Sequence, residues 1–173
     1  TFFSLRVNDW ILWNRQDNGS WMPENLKEVV SEGIEWKTVL NTEYINTKIY
    51  MELNYQYNIS INQKGISNLD ASIGKQLIYT PHHKGNMSAV FAYKNLSYKI
   101  NPSYVGAVFT SSDNKNELDA FTITNMSVKY NIQAIHSSLS FNVKNIFNTE
   151  YQSYQNYPNP GREFLIQLNI NLK

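Results

Sequence analysis

From Ser138 to Lys173 the chain reads SLSFNVKNIFNTEYQSYQNYPNPGREFLIQLNINLK. Two stretches of strict apolar and polar alternation flank a loop rich in Tyr and Pro. In the last stretch Phe164, Ile166, Leu168, Ile170 and Leu172 fall on one side, and Gln167, Asn169, Asn171 and Lys173 on the other. A period of two means a strand with one apolar and one polar face. In water the apolar face is an interior; in an outer membrane it is a surface.

The same period recurs upstream. Phe3, Leu5 and Val7 alternate with Ser4, Arg6 and Asn8, and Ile34, Trp36, Thr38 and Leu40 with Glu35 and Lys37. Ile49, Met51, Leu53, Tyr55, Tyr57 and Ile59 oppose Lys48, Glu52, Asn54, Gln56 and Asn58. Further strands are expected around Met87–Tyr93, Leu96–Ile100, Met126–Ile132 and Leu139–Val143, which with the last makes eight. The connections Asn41–Asn46, Lys94–Asn95 and Gln133–His136 are short. Asn14–Lys27, Ile61–Gln76, Ser111–Leu118 and Glu150–Gly161 read as long polar loops, and Glu24–Val30, weakly helical in period, is read as part of the first. Short turns at one rim and long loops at the other are the pattern of a bacterial outer-membrane barrel, long loops outside the cell.

Composition agrees. The 173 residues carry a formal charge of +1, with basic residues scattered, so no nucleic-acid partner is expected. Charged residues are 17% and aromatics 14%. The polar residues are Asn, Ser, Gln and Tyr more than Lys and Glu, which suits a wet lumen better than a solvated surface. With no Cys, neither a disulfide framework nor a thiol site exists. No run of 18 apolar residues would make a transmembrane helix. Thr1 opens inside a strand-like segment, and the chain is expected to be a fragment of a longer polypeptide.

A soluble sandwich or lipocalin-like barrel also alternates. Against it, Tyr and Trp gather near strand ends (Trp10, Trp13, Tyr55, Tyr57, Tyr93, Tyr104, Tyr130, Tyr151), as interfacial girdles require. The second reading for a membrane protein is a self-contained eight-stranded barrel acting as an adhesin or envelope stabiliser, with a lumen filled by side chains.

Asn145-Ile146-Phe147-Asn148, Tyr151 and Pro160-Gly161-Arg162 together resemble the C-terminal signature of TonB-dependent outer-membrane receptors. Leu77–Lys84 (LIYTPHHK) and Val30–Glu35 (VSEGIE) resemble strand starts of that family, in the right order. Trp13 and Trp21–Leu26 (WMPENL) are similar to the vitamin B12 receptor subgroup. The resemblance implies an all-β, antiparallel transmembrane β-barrel, these being the eight C-terminal strands of 22. It implies residence in the outer membrane among its lipid. It implies uptake of a scarce small-molecule ligand (siderophore, haem, cobalamin or similar) driven by a TonB-type energy-coupling protein acting through an N-terminal part, with a plug domain, that this chain lacks. One departure is the end: many such barrels finish in Phe or Trp, and this chain finishes in Asn171-Leu172-Lys173.

Candidate ligand contacts are Trp21 on the first long loop and Tyr154 and Tyr157 on the last, because Tyr and Trp offer flat, rigid faces with one hydrogen bond. Asn145, Phe147, Tyr151, Pro160, Gly161 and Arg162 are expected to be structural, with Pro160 fixing φ and Gly161 permitting φ > 0 at a sharp turn into the last strand. Arg162 is placed to pair with a carboxylate or carbonyl, and Gly33 to allow a bulge or close approach. His82 and His83 point to opposite faces and are expected to make rim hydrogen bonds, not to chelate. No catalytic residue, metal site or cofactor is implied, since scattered Ser and His do not define a triad.

Overall fold

The computed structural model describes residues 1–15, 19–65 and 70–170. The end of the apolar stripe (Asn171, Leu172, Lys173) lies outside them, as do parts of the first two loops. Among the described residues twelve strands occur in chain order: β1 (Phe2–Arg15), β2 (Trp21–Tyr44), β3 (Thr47–Lys64), β4 (His83–Tyr93), β5 (Leu96–Val105), β6 (Val108–Phe109), β7 (Glu117–Leu118), β8 (Phe121–Ile132), β9 (Ser137–Lys144), β10 (Gln152–Tyr154), β11 (Tyr157–Pro158) and β12 (Glu163–Ile170). Eight of them form one antiparallel meander, β1-β2-β3-β4-β5-β8-β9-β12, and the two pairs β6–β7 and β10–β11 are small ribbons in the loops. Among the described residues the sheet is open, with β1 and β12 at its edges and not paired to each other.

From β2 to β12 of the large sheet, pairing brings the alternating apolar positions into rows on one face. Leu40, Met51, Ala89, Ile100, Met126, Val143 and Phe164 are successive cross-strand partners. Toward the short turns runs Tyr93, Leu96, Tyr130, Leu139 and Leu168. Toward the loops runs Trp36, Tyr55, Gly85 and Tyr104. Tyrosines thus sit above and below an aliphatic belt, as the two girdles require. From Ile49 to Tyr57 the apolar stripe of β3 is about 27 Å long, or about 21 Å high at a barrel-like tilt, close to the ~25 Å of an outer-membrane band. Curvature marks this face as convex: Leu139 and Phe141 are each 44% exposed, whereas Ser138 and Ser140 on the other face are each 8% exposed.

The concave face is polar and internally bonded. Glu52 accepts from the Tyr50 hydroxyl at 2.7 Å and from the Asn54 amide at 2.9 Å, and faces the Lys37 ammonium at 3.1 Å. The Asn54 amide also donates to Asn86 at 3.1 Å.

Three expectations change. First, the stretch Asn14–Lys27 is mostly strand: β1 continues to Arg15, and β2 already begins at Trp21, so Glu24–Val30 is strand too. Such a ribbon meets water on both sides, so its ladder of hydrogen bonds needs no apolar alternation to define it. Second, β1 has the opposite phase. Phe2 pairs with Ile34 and Arg6 with Val30, so Ser4, Arg6 and Asn8 lie on the convex face and Phe3, Leu5 and Val7 on the concave one. β1 lies above the apolar band, where lipid no longer dictates which face is apolar. Third, Gly161 is not at positive φ; among the described glycines only Gly19 and Gly74 are. A Cβ on Gly161 would stand 2.7 Å from the Asn148 side-chain oxygen, so the position needs glycine for space. Gly33 is also a close approach, since a Cβ there would meet the Phe3 ring and the Tyr57 carbonyl.

The turns at the opposite rim are tight. Ile45 and Asn46 are both at positive φ, at 46° and 61°, as a type I′ hairpin turn needs.

Candidate ligand-binding site

The long connections carry the site, and hydrogen bonds fasten them into one body. After β3 the chain returns along the same strand. Asn62 N–H donates to the Lys75 carbonyl at 3.0 Å, Leu77 N–H to Ser60 at 2.8 Å and Asn58 N–H to His82 at 2.9 Å. The returning segment thus continues the β4 side of β3, and Leu77 packs on Val29, both buried. Buried Gln76 accepts the Ser60 N–H at 2.8 Å and donates its amide to the Thr80 carbonyl at 3.1 Å. Its own backbone is clasped from the β6–β7 loop. Gln76 N–H donates to the Asn114 side-chain oxygen, and the Asn114 amide donates to the Gln76 carbonyl, both at 2.9 Å. Tyr79 N–H donates to the Phe109 carbonyl at 2.9 Å. Three hydrogen bonds therefore join two loops that are far apart in sequence.

Tyr79 sits at the centre. Its φ is 53°, a left-handed value uncommon for an aromatic residue. Its ring lies 6.4 Å from that of Trp21 and 5.0 Å from that of Tyr154, tilted by 42° and 44°. These are favourable aromatic separations. Two expected contacts, Trp21 and Tyr154, are thus joined through a residue that sequence reading placed only within a strand start. The signal available was Tyr79 standing just before Thr80-Pro81, as the one aromatic ring of Phe, Tyr or Trp type between Tyr57 and Phe91. Trp21 is the first residue of β2, not a loop residue. Tyr157, at the start of β11 opposite Tyr154, is 66% exposed and outside the array.

Below the array, on the concave face, lies a cavity of about 320 Å³ lined by Asn58, Tyr79, Lys84, Asp119, Gln152 and Ser153 among others. A second, of about 550 Å³, lies between the third and fourth loops around Phe121, Tyr151 and Glu150. The Phe121 and Tyr151 rings are 4.5 Å apart. The lining offers flat apolar surfaces, amides, one ammonium and carboxylates, which suits reversible binding of a small ligand.

The terminal motif closes the last loop. Asn145 is buried at φ 47°; its amide donates to the Thr149 carbonyl and its side-chain oxygen accepts the Thr149 N–H, both at 2.9 Å. Its own N–H donates to Asn125 at 2.9 Å. The Asn148 side-chain oxygen accepts the Arg162 N–H at 2.8 Å, pinning Pro160-Gly161-Arg162 to the far side of the loop. The Arg162 guanidinium makes no ion pair among the described residues; the carboxylate next to it, Glu163, pairs with Lys144 at 2.9 Å. Phe147 is 75% exposed at the loop rim. His82 Nδ1 lies 3.1 Å from the Asn58 carbonyl, and His83 Nδ1 lies 2.8 Å from the Tyr55 hydroxyl on the convex face. Among the described residues no group of three or more His, Asp or Glu could hold a metal.

In the third loop, Asp113 caps its own turn. Its carboxylate accepts the Ser111 hydroxyl at 2.7 Å and the Lys115 N–H at 3.2 Å and faces the Lys115 ammonium at 3.0 Å. The Ser111 hydrogen bond, then the Lys115 contacts, hold its carboxyl down to about 2.

Comparison with known proteins gives a consistent picture. The sequence profile described as TonB dependent receptor-like, beta-barrel matches residues 1–146. The vitamin B12 transporter BtuB of Photobacterium profundum is 22% identical over 161 residues, covering 91% of this chain and 24% of that protein. Among solved structures, the unliganded ferric citrate transporter FecA superposes with a TM-score of 0.74 at 19% identity, over 98% of this chain and 28% of that one. The siderophore receptor PiuA of Acinetobacter baumannii gives 0.75 at 18%, over 98% and 25%. The copper transporter OprC gives 0.75 at 16%, over 99% and 28%. The chain spans about a quarter of the length of the relatives it matches.

Proposed function

The chain belongs to the TonB-dependent receptor β-barrel family of the bacterial outer membrane, and on that premise we propose that it is the C-terminal wall of a larger barrel, 22 strands by family resemblance, that takes up a scarce small ligand. Its N-terminal remainder carries the plug and the contact with a TonB-type energy-coupling protein. The supporting observation is the open eight-stranded sheet with a polar concave face and an aromatic array at its long-loop rim. An eight-stranded barrel closes on a lumen filled by side chains. Here β1 and β12 stay apart, which disfavours the small adhesin-like barrel.

The ligand meets Trp21, Tyr79 and Tyr154 and enters the cavity lined by Lys84, Asp119 and Gln152. Relatives carry ligands as different as vitamin B12, ferric citrate and copper. The site's own chemistry selects a compact ligand with a flat or ring-bearing face and polar edges. Function is by binding alone: ligand held by one loop arrangement and released in another. In the complete receptor, Tyr154→Ala is expected to weaken ligand binding several-fold and Tyr157→Ala much less, in equilibrium binding to outer-membrane preparations. Equal affinity for wild type and Tyr154→Ala would remove the array from the site. Collapse of the inner-membrane gradient is expected to stop uptake and spare surface binding.

A further inference from the structure

Neither Asn114 nor Gln76 lines the cavity below Tyr79, yet the Asn114 side chain is built into the segment that carries Tyr79. That segment runs between two neighbours. Leu77 N–H donates to the Ser60 carbonyl of β3 at 2.8 Å, and Tyr79 N–H donates to the Phe109 carbonyl of β6 at 2.9 Å. Past Phe109 the third loop folds into its own tight turn, in which Thr110 N–H donates to the Asn116 carbonyl at 2.9 Å and Asn114 N–H to the Ser111 carbonyl at 3.0 Å. At Gln76 a side chain therefore takes the place of a backbone partner. The Asn114 oxygen accepts the Gln76 N–H and the Asn114 amide donates to the Gln76 carbonyl, both at 2.9 Å. This is the two-bond exchange of an antiparallel pair, with a carboxamide standing for a peptide group. Among side chains only Asn and Gln carry both the C=O and the N–H that it needs.

The placement of Tyr79 depends on this clasp. At φ 53° an aromatic residue is in a conformation it seldom adopts, and such backbone persists only where its surroundings hold it. The hold comes from both sides of the residue. One is the bond from its own N–H to Phe109. The other is Gln76, buried at 6% exposure, whose amide reaches across to the Thr80 carbonyl at 3.1 Å and whose oxygen takes the Ser60 N–H at 2.8 Å. Gln76 spans Tyr79 in this way only while its own backbone stays in place, and Asn114 grips that backbone. Asn114 stands at φ 59°, a value that asparagine tolerates. The turn that presents it is closed by Asp113, which accepts the Ser111 hydroxyl at 2.7 Å and the Lys115 N–H at 3.2 Å. Contacts therefore run unbroken from the third loop's turn through Asn114 and Gln76 to Tyr79.

We propose that Asn114 is a positioning residue for the aromatic array: its carboxamide fixes Gln76 and so keeps Tyr79 left-handed, with the ring 5.0 Å from that of Tyr154 and at the wall of the cavity. Without the clasp Tyr79 relaxes to negative φ and its ring leaves the array. A ligand contact is then lost although no residue that meets the ligand has changed. The purpose of the array rests on the transport reading, but the ring's placement is measured with no ligand present, so the two stand or fall separately.

The test places a trifluoromethyl group on the ring at position 79, in place of the hydroxyl, and records fluorine NMR of the complete receptor in phospholipid nanodiscs. With Asn114 intact one resonance is expected. Asn114→Gly keeps the left-handed turn and removes the clasp; it is expected to add a second resonance, from the released ring, with about half the intensity or more. Asn114→Asp keeps the acceptor and loses the donor, and is expected to add a second resonance too; it gives the answer if Asn114→Gly fails to assemble. Lys115→Ala changes an exposed side chain of the same turn outside the clasp and is expected to keep the single resonance. A single unchanged resonance in an assembled Asn114 variant would overturn the proposal. So would a second resonance in Lys115→Ala as strong as in Asn114→Gly, because loosening of the loop at large would then account for both.

Discussion

Asn145 is 3% exposed and stands at φ 47°, with its side chain bonded twice to Thr149. Alanine there leaves the half-buried N–H and C=O of Thr149 without this partner, at about 1–3 kcal/mol, and meets an unfavourable backbone conformation as well. Asn145→Ala is expected to lower stability by about 2 kcal/mol or more, measured by reversible denaturant unfolding in phospholipid. Asn145→Gly, which keeps the backbone freedom, is expected to fall between that and wild type. This residue was legible in the sequence as part of a terminal motif, but its role was not. Nor was that of Gly161, expected at positive φ and found instead to leave room for Asn148. Backbone conformation depends on where the partner sits, and Asn148 is 13 residues away in sequence.

At the scale of elements, two tests separate faces and loops. Ile100 and Asn101 are neighbours on β5 with opposite directions, the first in the middle apolar row. Ile100→Lys is expected to cost about 2–4 kcal/mol in lipid, and Asn101→Lys near zero. Equal penalties in the same unfolding assay would contradict the assigned faces. The second test concerns the turn closed by Asp113. Its carboxyl is depressed from 3.8 to about 2 by Ser111 and Lys115. A depressed acid favours the folded turn fully above its unfolded value and loses that support as pH falls through the folded one. Amide exchange over Ser111–Asn116 is therefore expected to stay protected at pH 4 and above and to loosen as pH falls from 3.8 through about 2. Asp113→Asn is expected to remove this pH dependence. The strands themselves were legible wherever lipid enforces a period of two. They were misread above the band, where Glu24–Val30 forms strand without an apolar stripe.

Over the whole molecule, an antiparallel sheet of eight principal strands, its apolar face and its rim of long loops could be read from residue order alone. Those properties are local: alternation is written residue by residue, and a membrane demands it along every strand that crosses. Aromatic candidates could be named from residue type alone. It took the folded chain to show that Trp21 and Tyr154 both meet Tyr79, which lies between them, and that Tyr157 stands apart. It also decided that β1 reverses phase above the band and that the sheet stays open between β1 and β12. These facts rest on contacts between segments far apart in sequence, as Tyr79 and Tyr154 are. No local pattern encodes such a meeting, because it depends on the register of every strand in between and on the path of each loop over the concave face.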